Sequence, residues 1–126
     1  MKLRIEKEVS IARAFTHLIA AWDVGPYSWF ESVKYTDAGR KALDGIEPSL
    51  DAALATVIMD HPDDEEAAMH SVISGRWLAV TLQDCLKLGG APARAAMQII
   101  NEDPAADQNT ADLVMQVGAY GLVVFG

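Results

Sequence analysis

Five side chains between positions 60 and 70 are of types that bind divalent metals: Asp60, His61, Asp63, Glu66 and His70. Read on a helix, Asp63, Glu66 and His70 are spaced i, i+3 and i+7 and share one face. Carboxylate with imidazole suits Zn²⁺, Fe²⁺ or Mn²⁺. The bland reading is stronger. Acids crowded into a first turn complement the positive end of the helix dipole, and one helix rarely supplies a whole site. No second ExxH-type helix faces this one, as helical di-metal proteins require. The expectation is therefore no metal site and no cofactor. A small-ligand or metal-dependent helical enzyme built on this acidic and histidine cluster is the second functional reading.

Nucleophilic chemistry has less support. Cys85 falls on one helical face with Leu78, Leu82 and Leu86, with no histidine at helical spacing from it. A thiol in such company is an inert core residue. His17 falls on the polar face of its own helix, where a solvated histidine is expected. No glycine loop stands between a strand and a helix to cradle phosphate, and Gly89-Gly90 reads as a helix stop. No residue is assigned a catalytic role.

The aromatic segment is more suggestive. Five of the nine aromatics, Trp22, Tyr27, Trp29, Phe30 and Tyr35, fall within fourteen residues, beside Lys34, Arg40 and Lys41. Rings with cations can stack a planar group, hold an anion or anchor a protein partner. Tyr27, Trp29, Lys34, Tyr35 and Arg40 are the candidate partner- or ligand-binding residues. The competing reading is that the rings pack over the core as a lid.

The elements that must position these residues follow from periodicity and punctuation. Ser10 caps a helix in which Ile11, Phe15, Leu18, Ile19 and Trp22 form one stripe, stopped by Gly25-Pro26. Ser28 starts a short helix at Trp29-Phe30. Thr36 caps another through Leu43, ended by Gly45. Pro48 suits the first turn of a helix burying Leu50, Ala53, Leu54, Val57 and Ile58. His61-Pro62 breaks it and opens the longest element, from about 62 to 88, closed by Gly89-Gly90. On that element Met69, Ile73, Trp77 and Val80 form an apolar stripe beside Arg76, Asp84 and Lys87. A stripe flanked by charges lies near the surface, and a two-fold dimer is its expected cover. Pro92 opens a helix carrying Ala93, Ala96, Met97 and Ile100, and Asn109 or Thr110 caps a last one carrying Leu113, Val117, Tyr120 and Val124. The expected fold is all-α: a single domain over residues 1–126, an irregular bundle of five to six helices around a long central helix, with room for a short strand at either terminus.

The string Tyr35-Thr36-Asp37-Ala38-Gly39-Arg40-Lys41-Ala42-Leu43 resembles the wing-to-helix junction of winged-helix regulators. It covers nine residues. The recognition helix of such a domain would lie upstream, in only 34 residues, so shared capping chemistry accounts for the likeness. A DNA-binding regulator is the third functional reading, resting on this string and on the charge of the first third.

Charge and composition narrow the classes. The net charge is −8, and hydrophobic residues make up 51% of the chain. Residues 1–41 hold seven Lys and Arg against five acids, whereas residues 42–126 hold three against thirteen. An acidic body repels phosphate backbones, which disfavours general nucleic-acid binding. A single cysteine cannot close an internal disulfide, which points to a reducing compartment. The opening residues have no apolar run of signal-peptide length, and no uninterrupted apolar run reaches the ~18–20 residues a membrane span needs. The expected protein is cytoplasmic, off the membrane and homodimeric. Its first functional reading is a small non-catalytic interaction protein of inhibitor, immunity or regulatory-adaptor type, binding a protein partner.

Overall fold

The computed structural model describes residues 9–22, 30–61 and 64–121, with the backbone alone at Phe30, Glu31, Asp60, His61 and residues 64–68. In chain order the elements are α1 (Ile11–Trp22), β1 (Phe30–Tyr35), α2 (Asp37–Leu43), β2 (Ala53–His61), β3 (Asp64–Ser74), α3 (Gly75–Leu88), α4 (Gly90–Ile100) and α5 (Gln108–Tyr120). The strands form one antiparallel sheet in the order β1-β2-β3. The fold is therefore mixed and mostly helical, not all-α.

The helices at the two ends form where capping and periodicity agree. Ser10 Oγ accepts from the Arg13 backbone N–H at 3.2 Å, and α1 buries Phe15, Leu18, Ile19 and Trp22. Glu47 reaches across to accept from the Ala12 backbone N–H at 2.7 Å, satisfying another donor of that first turn. Thr36 caps α2 through a 3.0 Å bond from the Gly39 N–H, and Gly45 at φ 88° ends the segment. Gly89 and Gly90, both left-handed, turn α3 into α4. α5 begins two to three residues earlier than a cap at Asn109 or Thr110 would start it. Asp107 is the cap, and Thr110 completes a capping box with it.

The centre of the chain departs from the helical expectation. The run read as a helix from Pro48 is β2, and the first half of the expected 62–88 helix is β3. His61 pairs with Asp64, so β2 and β3 are the two arms of a hairpin. α3 starts only at Gly75, where the Ser74 hydroxyl accepts from the Trp77 N–H at 3.1 Å. The physical reason lies in the β-branched runs Thr56-Val57-Ile58 and Val72-Ile73, which favour a pleated surface. Their pairing across the hairpin satisfies the backbone that a helix would have satisfied locally. Of the short helix expected at Trp29-Phe30, Trp29 lies outside the described residues and Phe30 opens β1, which pairs with β2 through Ser32↔Ile58 and Lys34↔Thr56.

The helices cover one face of the sheet. Phe15, Leu18, Val57, Met59, Ile73, Val114 and Met115 are wholly buried in one cluster. Among the described residues no helix is long and apolar enough to cross a membrane.

Candidate functional site: the open face of the sheet

Side chains alternate across a pleated sheet, so one strand feeds two surfaces. In β2, Ala55, Val57 and Met59 are fully buried against the helices, whereas Thr56 and Ile58 between them are only half-buried. In β3, Ile73 is fully buried, while His70 and Val72 are exposed. In β1, Val33 and Tyr35 pack on the core, and Lys34 between them is exposed. The register lines up the outward positions in two rows, Ser32–Ile58–His70 and Lys34–Thr56–Val72. The result is a face with two apolar side chains, Ile58 and Val72, flanked by Lys34 and His70. Val72 keeps 50% of its surface exposed.

The six described side chains on this face include no acid, although the whole chain carries −8. Lys34 makes no ion pair among the described residues; those present join Arg13 to Glu102, Arg40 to Asp37 and Arg76 to Asp51. The hydrogen bond and charge of Arg76 hold the Asp51 carboxyl below its ordinary range. That pair lies at the start of α3, away from the two rows.

The candidate binding residues separate. Lys34 belongs to the open face. Tyr35 points the other way, its ring 6.3 Å from that of Phe15 and nearly perpendicular to it. Arg40 stands on α2, donating from Nη1 to the Tyr35 carbonyl at 3.1 Å and pairing with Asp37. It acts as a brace between α2 and the end of β1. Tyr27 and Trp29 lie outside the described residues.

The stripe expected at Met69, Ile73, Trp77 and Val80 does not exist as a helical surface, because β3 ends and α3 begins inside it. Ile73 is completely buried and Met69 packs on the core. The Trp77 ring lies against Gly118, where an added Cβ would meet Cζ2 at 2.1 Å, and its indole N–H is buried with no partner among the described residues. Val80 alone of the four is exposed, at 52%. The helical spacing of Asp63, Glu66 and His70 is lost likewise, since Glu66 and His70 lie on β3 and Asp63 is outside the described residues. No three described His, Cys, Asp or Glu side chains gather closely enough to hold a metal.

Besides a hollow of about 480 Å³ between the end of α1 and the start of α5, two concave features among the described residues bear on the candidate residues. One, about 230 Å³, lies beside Arg13, Thr16, His17 and Glu102. Its polar groups serve internal contacts: Arg13 pairs with Glu102 at 2.9 Å, and Thr16 donates to the Ala42 carbonyl at 3.3 Å. His17 Nε2 bonds the Asp103 carbonyl at 2.8 Å. His17 is thus half-buried and engaged, not solvated, and with Arg13 it ties the α4–α5 connection to α1. The other, about 310 Å³, is lined by apolar residues of α1, α3 and α4 together with Val9 and Leu50, with Gln83 the one polar side chain among the lining residues. Neither gathers a nucleophile with a base. Cys85 is buried in α3, and burial, with Asp84 adding to it, pushes its thiol up to about 12, so it stays protonated and unreactive.

The residues that sequence reasoning missed are Ile58 and Val72; His70 was singled out for a metal-type cluster and not for this face. Their signal was the two-residue alternation within 55–59 and 69–73, which a helical template of period 3.6 absorbs. Compared with known proteins, the chain matches no family model, no curated protein and no solved structure.

Proposed function

We propose that the protein is a small non-catalytic interaction protein that binds an acidic, partly apolar protein partner on the open face of its sheet. The observation that carries this reading is the face itself: Ile58 and Val72 presented beside Lys34, which has no ion pair among the described residues, on a chain whose other charges are mostly acidic. Apolar residues rimmed by polar ones mark interaction sites, and the exposed Lys34 beside them favours an acidic contact by complementarity. Arg40 supports the site indirectly, by bracing the β1–α2 junction that carries Lys34. An inhibitor, an immunity factor or a regulatory adaptor would each work this way, occupying a partner's surface without chemistry of its own.

The test compares wild type with the double variant Lys34→Glu/Ile58→Ser as immobilised bait in extracts of the source organism. The expected result is a protein retained by wild type and lost by the variant, while the variant keeps its circular dichroism spectrum. Equal retention by both baits would remove this face from the function.

A further inference from the structure

The cleft of about 310 Å³ among the helices is a surface separate from the open face of the sheet. Its floor is made by Ala14 of α1, Leu78 and Leu82 of α3 and Ile100 of α4, all at most 5% exposed. Its rim carries Leu50, with Ala79 and Gln83 of α3, all three exposed. Gln83 is the one polar side chain among the described residues that line the cleft, and none of them is charged. Water against such a wall finds a single side-chain amide to bond, and its release favours any apolar surface that replaces it.

We propose that this cleft binds a small, uncharged, largely apolar molecule carrying one hydrogen-bonding group for the Gln83 amide. Volume sets the size. An apolar cavity of about 150 Å³ takes benzene, so a cleft of about 310 Å³ takes two fused rings. The lining sets the chemistry. With no charge in the wall, an ionised group would lose its hydration and gain no counter-charge. The same wall argues against a polypeptide, whether a segment of this chain or another protein. Each residue entering would bring a main-chain N–H and C=O that need partners once buried. The helices of the wall use their own backbone groups internally, and the Leu50 carbonyl already accepts from the Arg76 N–H at 2.9 Å. The Gln83 amide remains, enough for one polar group. The proposal does not depend on what the open face binds.

The experiment titrates the full chain with indole, whose N–H can donate to Gln83 Oε1, with indene, which has the same shape and no hydrogen-bonding group, and with the indole-3-carboxylate anion. Methyl NMR signals of Ile11, Leu78 and Leu82 report occupancy of the cleft. Indole and indene are expected to shift these signals saturably, and the anion to bind at least about tenfold more weakly. Gln83→Leu should weaken indole by about fivefold and leave indene unchanged. Ala79→Phe fills the mouth from an exposed position and should abolish binding of both neutral probes while the circular dichroism spectrum stays that of wild type. Should that variant misfold, the smaller change Ala79→Leu must still weaken both. Absence of saturable shifts up to the solubility of the neutral probes overturns the proposal, as does an anion that binds as tightly as indole. Shifts that persist unchanged in a folded Ala79→Phe protein overturn the location. Binding that appears only in a variant lacking residues 2–8 overturns the proposal too, because the occupant would then be the chain itself.

Discussion

Replacing Gly39 with alanine tests how α2 is seated on the sheet, and the sign of the effect is itself diagnostic. In a free helix the change stabilises by ~1 kcal/mol, because alanine is the better helix former. Here the new methyl would stand 1.9 Å from the Leu54 carbonyl oxygen, 2.8 Å from its carbon and 3.2 Å from its Cα. All three are backbone atoms, so no rotamer change relieves the clash. A carbon needs about 3.3 Å from a carbonyl oxygen, which obliges α2 and β2 to separate by more than ~1 Å. That movement pulls on the Thr36 hydroxyl, which bonds the Ala53 and Leu54 carbonyls, and on the 3.0 Å bond from the Thr36 N–H to Leu54. It also opens space beside Ala42, which is fully buried. Overpacking of this kind costs ~1–3 kcal/mol and a weakened hydrogen bond ~1 kcal/mol. Set against the propensity gain, a net destabilisation of about 2 kcal/mol is expected. Urea denaturation followed by circular dichroism would show it as a lower midpoint at unchanged slope. A midpoint equal to or above that of wild type would refute the seating of α2 on β2.

Two further outcomes follow from the core. Leu82→Ala truncates a side chain that is 4% exposed and borders the apolar cleft; it should cost ~2–5 kcal/mol by chemical denaturation, and a loss under ~0.5 kcal/mol would misplace α3. Cys85 should resist thiol reagents at pH 8 in the native state and react on denaturation, since its thiol is pushed up to about 12 by burial. Because the folded value lies above the unfolded one of about 8.5, this contribution to stability is complete below pH ~8.5 and is lost as the pH rises toward 12; a urea midpoint indifferent to pH above 9 would contradict it.

Where local chemistry decides, the chain could be read directly. Ser10 and the stripe from Ile11 to Trp22 place α1, Thr36 and Gly45 bound α2, and Gly89-Gly90 end α3, because a cap and a left-handed turn involve neighbours in the chain. Lys34 was legible as a candidate site residue for a similar reason: an uncommon concentration of rings and cations surrounds it. Composition and charge also stand on their own, and they weigh against phosphate-rich partners whatever the fold.

The hairpin and the open face are different in kind. Met69, Ile73 and Trp77 are spaced by four, an interval that keeps residues on one side of a helix and equally on one side of a strand, so the pattern cannot tell the two apart. What decides is pairing: β2 and β3 exchange their backbone hydrogen bonds with each other, and Val57, Met59 and Ile73 share one buried core with Phe15 and Met115 from distant parts of the chain. The face then draws Lys34, Ile58 and His70 together from three strands, through registers that no single segment contains. A local sequence can specify a cap or an amphipathic stripe. Which side of a strand is left to solvent is decided only when the helices have covered the other.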